Sequence, residues 1–441
     1  MIAAQVNGLT RLWLAAGGRF HESRGGMTHA TRSAAPGIWC GEFELFDDGG
    51  LQGPRHAASR HRRARVLVRA HGRPLGYLHF DGAPDAVSLD DLRTQASTAF
   101  GDSVNTEAPA PLVDAPFASV IVCTRDHTEL LTSCLDRIQA LDYPNFEVVV
   151  VDNAPSNEET RELLEKICAM DPRFRYLRQD RPGLSAARNA GLIGARGEIL
   201  AYTDDDVLVD RNWLTEIART FRSEPGIGCV TGLVATAAIE TNAEGYFDAR
   251  SPSWSARMTS ERYDLRERRD DSPLYPYSAG IFGTGANLAV SREAMDRVGE
   301  FDEALGAGTK TKGGEDLDIF VRVLRAGFTI AYEPAALVWH QHRADDDALR
   351  SQLYGYGTGL TAYLTKYLTN PATSLDIAGR VLAGLARMAS IRSSTEDRML
   401  ARVETPAGAW QEEVRGYFAG PALYAKARRA SRARQAGLRR S

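Results

Sequence analysis

Apolar and polar positions along this chain change their rhythm near residue 118. From there, continuous apolar runs alternate with runs repeating at helical spacing. Ser119-Val120-Ile121-Val122-Cys123-Thr124 predicts a strand covered on both faces. Leu130, Leu131, Cys134, Leu135, Ile138 and Leu141 predict one face of a helix that Tyr143-Pro144 stops. Phe146-Glu147-Val148-Val149-Val150-Val151-Asp152 is a second buried strand. Ser156 with Glu159 then spells a capping box for a helix whose inner face is Leu163, Leu164, Ile167 and Cys168. A short strand over 174–177, a helix over 185–195, a strand over 198–202 and a later helix over 317–325 continue the series. Strand-helix alternation predicts an α/β fold with a doubly wound, mostly parallel sheet, whose ligands bind outside the carboxyl ends of the strands.

The chain before residue 115 has another texture. Two alternating segments over 65–80 flank a glycine-containing turn and predict a β-hairpin, and a further strand is expected over 38–46. Glu107-Ala108-Pro109-Ala110-Pro111 has the composition of a linker. Between Thr231 and Gly280 periodicity is poor. Beyond His342 the pattern turns helical, with Leu349, Leu353, Tyr356 and Leu360 near helical spacing, and apolar positions interrupted by arginines occupy 374–400. The expected organisation is an N-terminal β-containing accessory region over 1–115, an α/β domain over 116–343 and a C-terminal helical region with a basic tail over 344–441.

Composition fits this reading without narrowing it. The 441 residues suffice for two or three domains, and apolar and charged fractions of 43% and 25% are typical of soluble globular proteins. The 53 basic and 57 acidic residues leave a net charge of -4, which argues against nucleic acid as the main partner. The five cysteines, Cys40, Cys123, Cys134, Cys168 and Cys229, lack zinc spacing and look like buried hydrophobes of a reducing compartment. Leu12-Trp13-Leu14-Ala15-Ala16 is short for a signal peptide, and no run approaches the roughly 18 apolar residues of a spanning helix, so a cytoplasmic protein is expected. Seven arginines between Arg55 and Arg73 fit either a solvated face or a docking patch for an acidic partner. The seven basic residues from Lys426 to Arg440, with no acidic one, fit a solvated helix or a peripheral contact at the inner face of a membrane.

Candidate chemistry concentrates in Ile199-Leu200-Ala201-Tyr202-Thr203-Asp204-Asp205-Asp206, an apolar strand running into three aspartates. Adjacent carboxylates repel one another, and at a strand end they suit Mg²⁺ or Mn²⁺, ions that fill their remaining positions from substrate phosphate and water. The same triplet also fits an acidic turn capping a helix that begins near Asn212. Thr124 and Asp152 end two other predicted strands, which favours a shared ligand site over a cap. Gly306, Gly308, Gly313 and Gly314, interleaved with Lys310 and Lys312, describe a mobile loop whose lysines reach phosphate on closure, or an ordinary exposed loop.

Taken in order, Val120-Ile121-Val122-Cys123-Thr124-Arg125, Val151-Asp152-Asn153, Gly183-Leu184-Ser185-Ala186-Ala187-Arg188-Asn189, Thr203-Asp204-Asp205-Asp206, Gly283-Thr284-Gly285-Ala286-Asn287 and Gly313-Gly314-Glu315-Asp316 resemble the family 2 glycosyltransferases. These are inverting enzymes of the GT-A fold that use nucleotide sugars, and the resemblance spans residues 117–343. It implies that Thr124, Arg125 and Asp152 hold the nucleoside, with Asp152 accepting a hydrogen bond from the N3 proton of the base in UDP or dTDP sugars. Arg188 would approach the nucleotide, Asp204 and Asp205 the ribose or sugar, and Asp206 the metal. His340 would be a further metal ligand, or else a buried histidine beside Trp339. Gly285 would lie on the acceptor side. Asp316 would be the general base with Glu315 beside it on the acceptor or donor sugar, unless both only form the acidic first turn of a helix.

The reaction so implied moves a sugar, with Mg²⁺ or Mn²⁺, to a hydroxyl of a glycan, glycolipid or other acceptor, as in bacterial-type polysaccharide or glycoconjugate synthesis. A sugar nucleotidyltransferase is a rival, but such enzymes carry a glycine-rich loop where this chain has Cys123-Thr124-Arg125-Asp126-His127. A non-catalytic nucleotide-sugar-binding module is a second rival, against which the intact Asp206 and Asp316 argue.

Overall fold

A computed structural model describes residues 37–55, 61–104, 107–266 and 274–438. The apolar stretch at 12–16, Arg60 of the arginine run and Arg439 and Arg440 of the basic tail lie outside the described residues. The described residues begin with a 3-stranded sheet of β1 (Trp39–Glu44), β2 (Arg63–Ala70) and β3 (Arg73–Asp81), which leads into α1 (Leu89–Phe100). The expected hairpin is β2 and β3, antiparallel across a two-residue turn. His71 and Gly72 both take positive φ there, 49° and 78°, which matches the twist of the flanking strands. The other expected strand, β1, runs parallel to β2.

Then come β4 (Ala118–Thr124), α2 (Thr128–Gln139), β5 (Phe146–Asn153), α3 (Glu159–Met170), β6 (Phe174–Gln179), α4 (Leu184–Gly194), β7 (Ile199–Asp204), β8 (Val207–Val209) and α5 (Trp213–Ser223). Next are β9 (Ile227–Thr236), α6 (Asn242–Arg250), α7 (Pro252–Ser255), β10 (Glu261–Tyr263), β11 (Asn287–Ser291), α8 (Arg292–Val298), α9 (Glu315–Arg325) and β12 (Thr329–His340). The C-terminal part is helical: α10 (Asp346–Leu368), α11 (Ser374–Ala378), α12 (Val381–Glu396) and α13 (Ala409–Leu438).

The expected α/β architecture is borne out, as a 9-stranded sheet in the order β10-β12-β9-β11-β7-β4-β5-β6, with β8 paired to β12. The parallel block β7-β4-β5-β6 contains the strands foreseen from apolar runs. The other half was not foreseen. Strand β9 buries all ten residues of Ile-Gly-Cys-Val-Thr-Gly-Leu-Val-Ala-Thr, so it shows no alternation, and two glycines break its apolar run. Between β7 and β9, β11 runs antiparallel to both, while β12 runs parallel to β9.

One local expectation fails. The capping box of Ser156 and Glu159 does not form, because α3 starts at Glu159 with Glu158 as a cap that makes no side-chain bond. The Glu159 amide instead donates to Asn157 Oδ1 at 3.0 Å, and the Ser156 amide donates to Asp126 Oδ1 at 2.8 Å. An Asx turn two residues upstream has taken the donor that the box needed.

The large sheet is held from two sides. Cys40 and Leu67 of the small sheet, with Ile38 just before it, share a core with Leu233, Leu337 and Trp339 of the large one. Arg69 adds an ion pair across that junction, 2.7 Å from Asp210, while also holding Glu42 at 2.8 Å. At the other end, α10 packs along α13 and against the start of α9. Gly314 there has φ +90°, and an added Cβ would stand 2.6 Å from the Gly359 carbonyl oxygen of α10. Only glycine satisfies both conditions.

The parallel block is anchored by a charge at its opposite edge. Glu147 is 2% exposed at its side chain and accepts from the Ser119 hydroxyl at 2.8 Å, the Arg196 amide at 2.7 Å and the Arg175 guanidinium at 3.0 Å. Burial raises this carboxyl, but the bonds from Arg196, Ser119 and Arg175 outweigh it and bring it from the ordinary 4.5 down to about 2. A depressed carboxyl contributes stability that is complete above its unfolded value and lost as pH falls through its folded one. Glu147→Gln should therefore cost about 2 kcal/mol at pH 7, discounted because both arginines are partly exposed, and should flatten the acid-side loss of stability between pH 4.5 and 2. Urea unfolding over a pH series measures both.

Candidate active site

Register brings the predicted strand-end residues into a row. Thr124 of β4 lies opposite Asp152 of β5, and Cys123 lies opposite Asp204 of β7. Immediately after Asp206 the chain enters β8, which pairs antiparallel with the end of β12, Val207 opposite His340. That pairing carries His340 to the triplet, with Nε2 3.4 Å from Asp206 Oδ1. It also removes the helix-cap alternative, because β8 separates the aspartates from α5, whose Asn212 cap makes no side-chain bond.

The three aspartates have three different partners. Asp204 Oδ1 is 3.3 Å from Arg188. Asp205 turns the other way, accepting from the Thr124 hydroxyl at 2.6 Å and lying 3.3 Å from His127 Nδ1. Asp206 faces His340 and, at 3.8 Å, Arg343. Burial raises the Asp206 carboxyl, but His340 and Arg343 outweigh it and bring it down to about 2.

Arg188 on α4 is 2% exposed and joins segments far apart in sequence. Its guanidinium donates to Glu315 Oε1 at 2.9 Å, Asp204 Oδ1 at 3.3 Å and the Gly285 carbonyl at 3.2 Å. A Cβ on Gly285 would lie 2.6 Å from this guanidinium, so the close approach requires glycine. The Gly285 amide donates in turn to Asp316 Oδ2 at 3.0 Å, and the Leu317 amide to Asp316 Oδ1 at 2.8 Å. One cation thus serves two carboxylates with a third next to them. Burial and the neighbouring Asp316 charge push Glu315 up to about 7 against the pull of Arg188, and Glu315 Oε2 has no hydrogen-bond partner.

A cavity of about 1320 Å³ collects most of these groups. Arg188, Asp204, Asp206, Gly285, Glu315, Asp316 and His340 line it, whereas Thr124, Arg125, Asp152 and Asp205 do not. Arg125 is exposed at the turn after β4. Asp152 is fully buried; its Oδ2 accepts from the Tyr176 hydroxyl at 3.0 Å and its Oδ1 has no partner. The glycine-rich segment is pinned: Gly306 pairs with Gly313, and Thr311 is buried, its hydroxyl bonded to the Ala304 carbonyl at 2.9 Å. Of its two lysines Lys312 lines the cavity.

Behind His340 stands a hydrogen-bonded chain that sequence reasoning missed. His340 Nδ1 is 3.1 Å from His342 Nδ1, His342 Nε2 is 3.0 Å from Thr236 Oγ1, and the Thr236 hydroxyl meets Asp248 Oδ1 at 2.5 Å. Both Asp248 oxygens are held by Arg65 at 2.7 Å. The His340-Gln341-His342 spacing was available as a signal, since on a strand it puts both rings on one face. Nothing local in the sequence points to Arg65.

Comparison with known proteins covers part of this site, up to Gly283 and Thr284 of the cavity lining. The profile of glycosyl transferase family 2 matches residues 119–284. The pre-mycofactocin glycosyltransferase of Mycobacterium tuberculosis is 30% identical over 220 residues, covering 47% of this chain and 42% of that protein. The succinoglycan biosynthesis protein ExoM of Rhizobium meliloti is 30% identical over 224 residues, 49% of this chain and 64% of that protein. The chain therefore spans less than two thirds of the length of either relative. Among solved structures it is similar to a mannosyltransferase from Pyrobaculum calidifontis in complex with GDP-Man and Mn2+, with 20% identity, a TM-score of 0.44 and coverage of 72% and 86% of the two chains.

Removing Arg188 leaves the buried Glu315 carboxylate and the half-buried Asp204 carboxylate without their shared counter-charge. Arg188→Met should lower the free energy of unfolding by about 3–5 kcal/mol. Arg188→Lys should recover only part, since an ammonium cannot reproduce the planar fork that meets Glu315, Asp204 and Gly285 together. Chemical denaturation of the three proteins checks the order.

Proposed function

From the premise that this chain belongs to glycosyl transferase family 2, we propose that it moves a sugar from a UDP or dTDP donor to a hydroxyl acceptor with inversion of the anomeric centre, assisted by Mg²⁺ or Mn²⁺. The observation that carries this reading is the meeting of Asp206, His340, Arg188 and Asp316 in one cavity beside the carboxyl ends of parallel strands.

Asp316 has the properties of the base. Backbone amides of Gly285 and Leu317 hold both of its oxygens, and the first turn of α9 favours its charge. An acceptor hydroxyl at Asp316 loses its proton to that carboxylate as its oxygen bonds to the anomeric carbon and the bond to the diphosphate breaks. Glu315 holds Arg188 in place through Oε1.

The residues fit a divalent ion. Among the described residues no group of three or more His, Cys, Asp or Glu side chains is arranged to hold a metal. A carboxylate and an imidazole supply two donors, which suits an ion that draws its other ligands from diphosphate and water. Asp206 and His340 would hold it, and when bound it spreads the charge that appears on the leaving diphosphate.

The donor base is inferred from Asp152. Tyr176 occupies one carboxylate oxygen and the other is unpartnered, which suits a base presenting a single N–H, as uracil and thymine do at N3. That free oxygen is buried, so binding requires the residues covering Asp152 to give way.

Four measurements test the reading. Asp316→Asn should keep donor affinity while turnover falls by about two to four powers of ten, and product NMR should give an anomeric configuration opposite to the donor's. Near-normal turnover or retained configuration removes Asp316 from the role. Excess chelator should suppress hydrolysis or transfer from a panel of nucleotide sugars, and full activity under those conditions contradicts the metal assignment. In competition binding UDP and dTDP should outcompete GDP; the reverse order rejects the pyrimidine assignment.

A further inference from the structure

Most of the surface lining the cavity is apolar, and the cavity is large. Its 1320 Å³ exceeds the ~300–1,000 Å³ usual for small-ligand clefts. Leu360, Leu364 and Leu368 line it at four-residue spacing from α10, and Val381, Leu385 and Met388 line it from α12. Helix α12 has one fully buried residue, Thr395, so its apolar side chains are not consumed by the protein core. Leu368, Val381 and Leu385 remain 39%, 41% and 57% exposed. Arg387, on the same helix, also lines the cavity, and among the described residues its guanidinium has no hydrogen-bond or ion-pair partner.

Resting on the glycosyl-transfer reading, we propose that the acceptor is an amphiphile: a hydroxyl-bearing head at Asp316, an anionic phosphate-like group at Arg387, and an apolar chain between α10 and α12. The argument is continuity and charge. The apolar stripes and the candidate base border one space, so a molecule presenting its hydroxyl to Asp316 has its remainder directed along leucines or into solvent. For a plain glycan that lining is a poor solvent. An alkyl chain there gains about fourfold in affinity for each methylene it buries. The exposed Arg387 guanidinium then meets the group that joins head and chain.

Isothermal titration of the full chain without donor tests this, with octyl β-glucoside, decyl β-glucoside and decyl phosphate below their critical micelle concentrations as probes. The decyl glucoside should bind about fifteenfold tighter than the octyl, on two further buried methylenes. Leu385→Asp and Val381→Asp should each weaken it at least tenfold. Leu382→Asp should leave it unchanged, because Leu382 is 83% exposed and does not line the cavity. Decyl phosphate should bind tighter than the glucoside, and Arg387→Gln should abolish that increment. Equal affinity for the two chain lengths overturns the proposal. So does equal weakening by Leu382→Asp, which is the pattern of a membrane-facing surface, and an unchanged phosphate increment in Arg387→Gln overturns the anionic part. Donor hydrolysis is measured separately: hydrolysis without chain-length discrimination refutes the amphiphilic acceptor alone, and discrimination without hydrolysis refutes the transfer reading while supporting the apolar pocket.

Discussion

A guanidinium taken out of water is tolerated only where carboxylates and carbonyls replace its hydration, and Arg188 imposes that condition on three separate parts of this chain. The end of β7 supplies Asp204, the start of α9 supplies Glu315, and the segment before β11 supplies the Gly285 carbonyl. None of these is near another in sequence, yet each must arrive within hydrogen-bond distance of the same side chain. Residue choice around them is set by that demand: glycine at 285 because a Cβ has no room, and glycine at 314 because α9 must start in a left-handed conformation pressed against α10. Arg188 faces two carboxylates with Asp316 adjacent, and that crowding together with burial pushes Glu315 up to about 7.

How much of this was legible in the sequence depends on whether the cause was local. Strands β4, β5 and β7 announce themselves because a strand covered on both faces must be apolar throughout. Asp204 to Asp206 and Glu315-Asp316 announce themselves because consecutive acids at an element's end need a reason. The partner of each acid was not legible, since register and long-range packing decide it. His340 reaches Asp206 only through the pairing of β8 with β12, a three-residue strand that no periodicity detects. Asn287, one of the residues carrying the family resemblance, bonds the Ala336 and Leu233 carbonyls and accepts from Trp213, so here it stitches β9, β12 and α5 rather than lining the cavity.

The aspartate triplet divides where β7 ends: Asp205 and Asp206 form the turn into β8, which leaves Asp204 and Asp206 on the cavity and Asp205 turned to Thr124 and His127. The row of strand ends therefore has two sides. One holds Thr124, Asp205 and, across the register, Asp152; the other holds Arg188, Asp206 and Asp316. A ligand lying across the triplet would be contacted by both.

The N-terminal sheet, whose sequence disclosed no chemistry, reaches this site through a hydrogen-bond chain whose direction can be worked out from its far end. Asp248, gripped by Arg65 and held below its ordinary range by that guanidinium against the effect of burial, can only accept, so the Thr236 hydroxyl donates to it. That leaves the Thr236 oxygen to accept from His342 Nε2. Burial and the neighbouring His340 push His342 down to about 3, so its ring is neutral and its Nδ1 accepts from His340 Nδ1. His340 is then oriented with Nε2 toward Asp206, as an outer hydrogen bond orients a metal-binding imidazole. Without Arg65 the chain would end in a buried carboxylate lacking its counter-charge, and the constraint on the His340 ring would lose its anchor. The arginine-rich strand β2 thus contributes to the geometry of the cavity from outside it, alongside the Arg69 to Asp210 ion pair that fixes the small sheet to the large one.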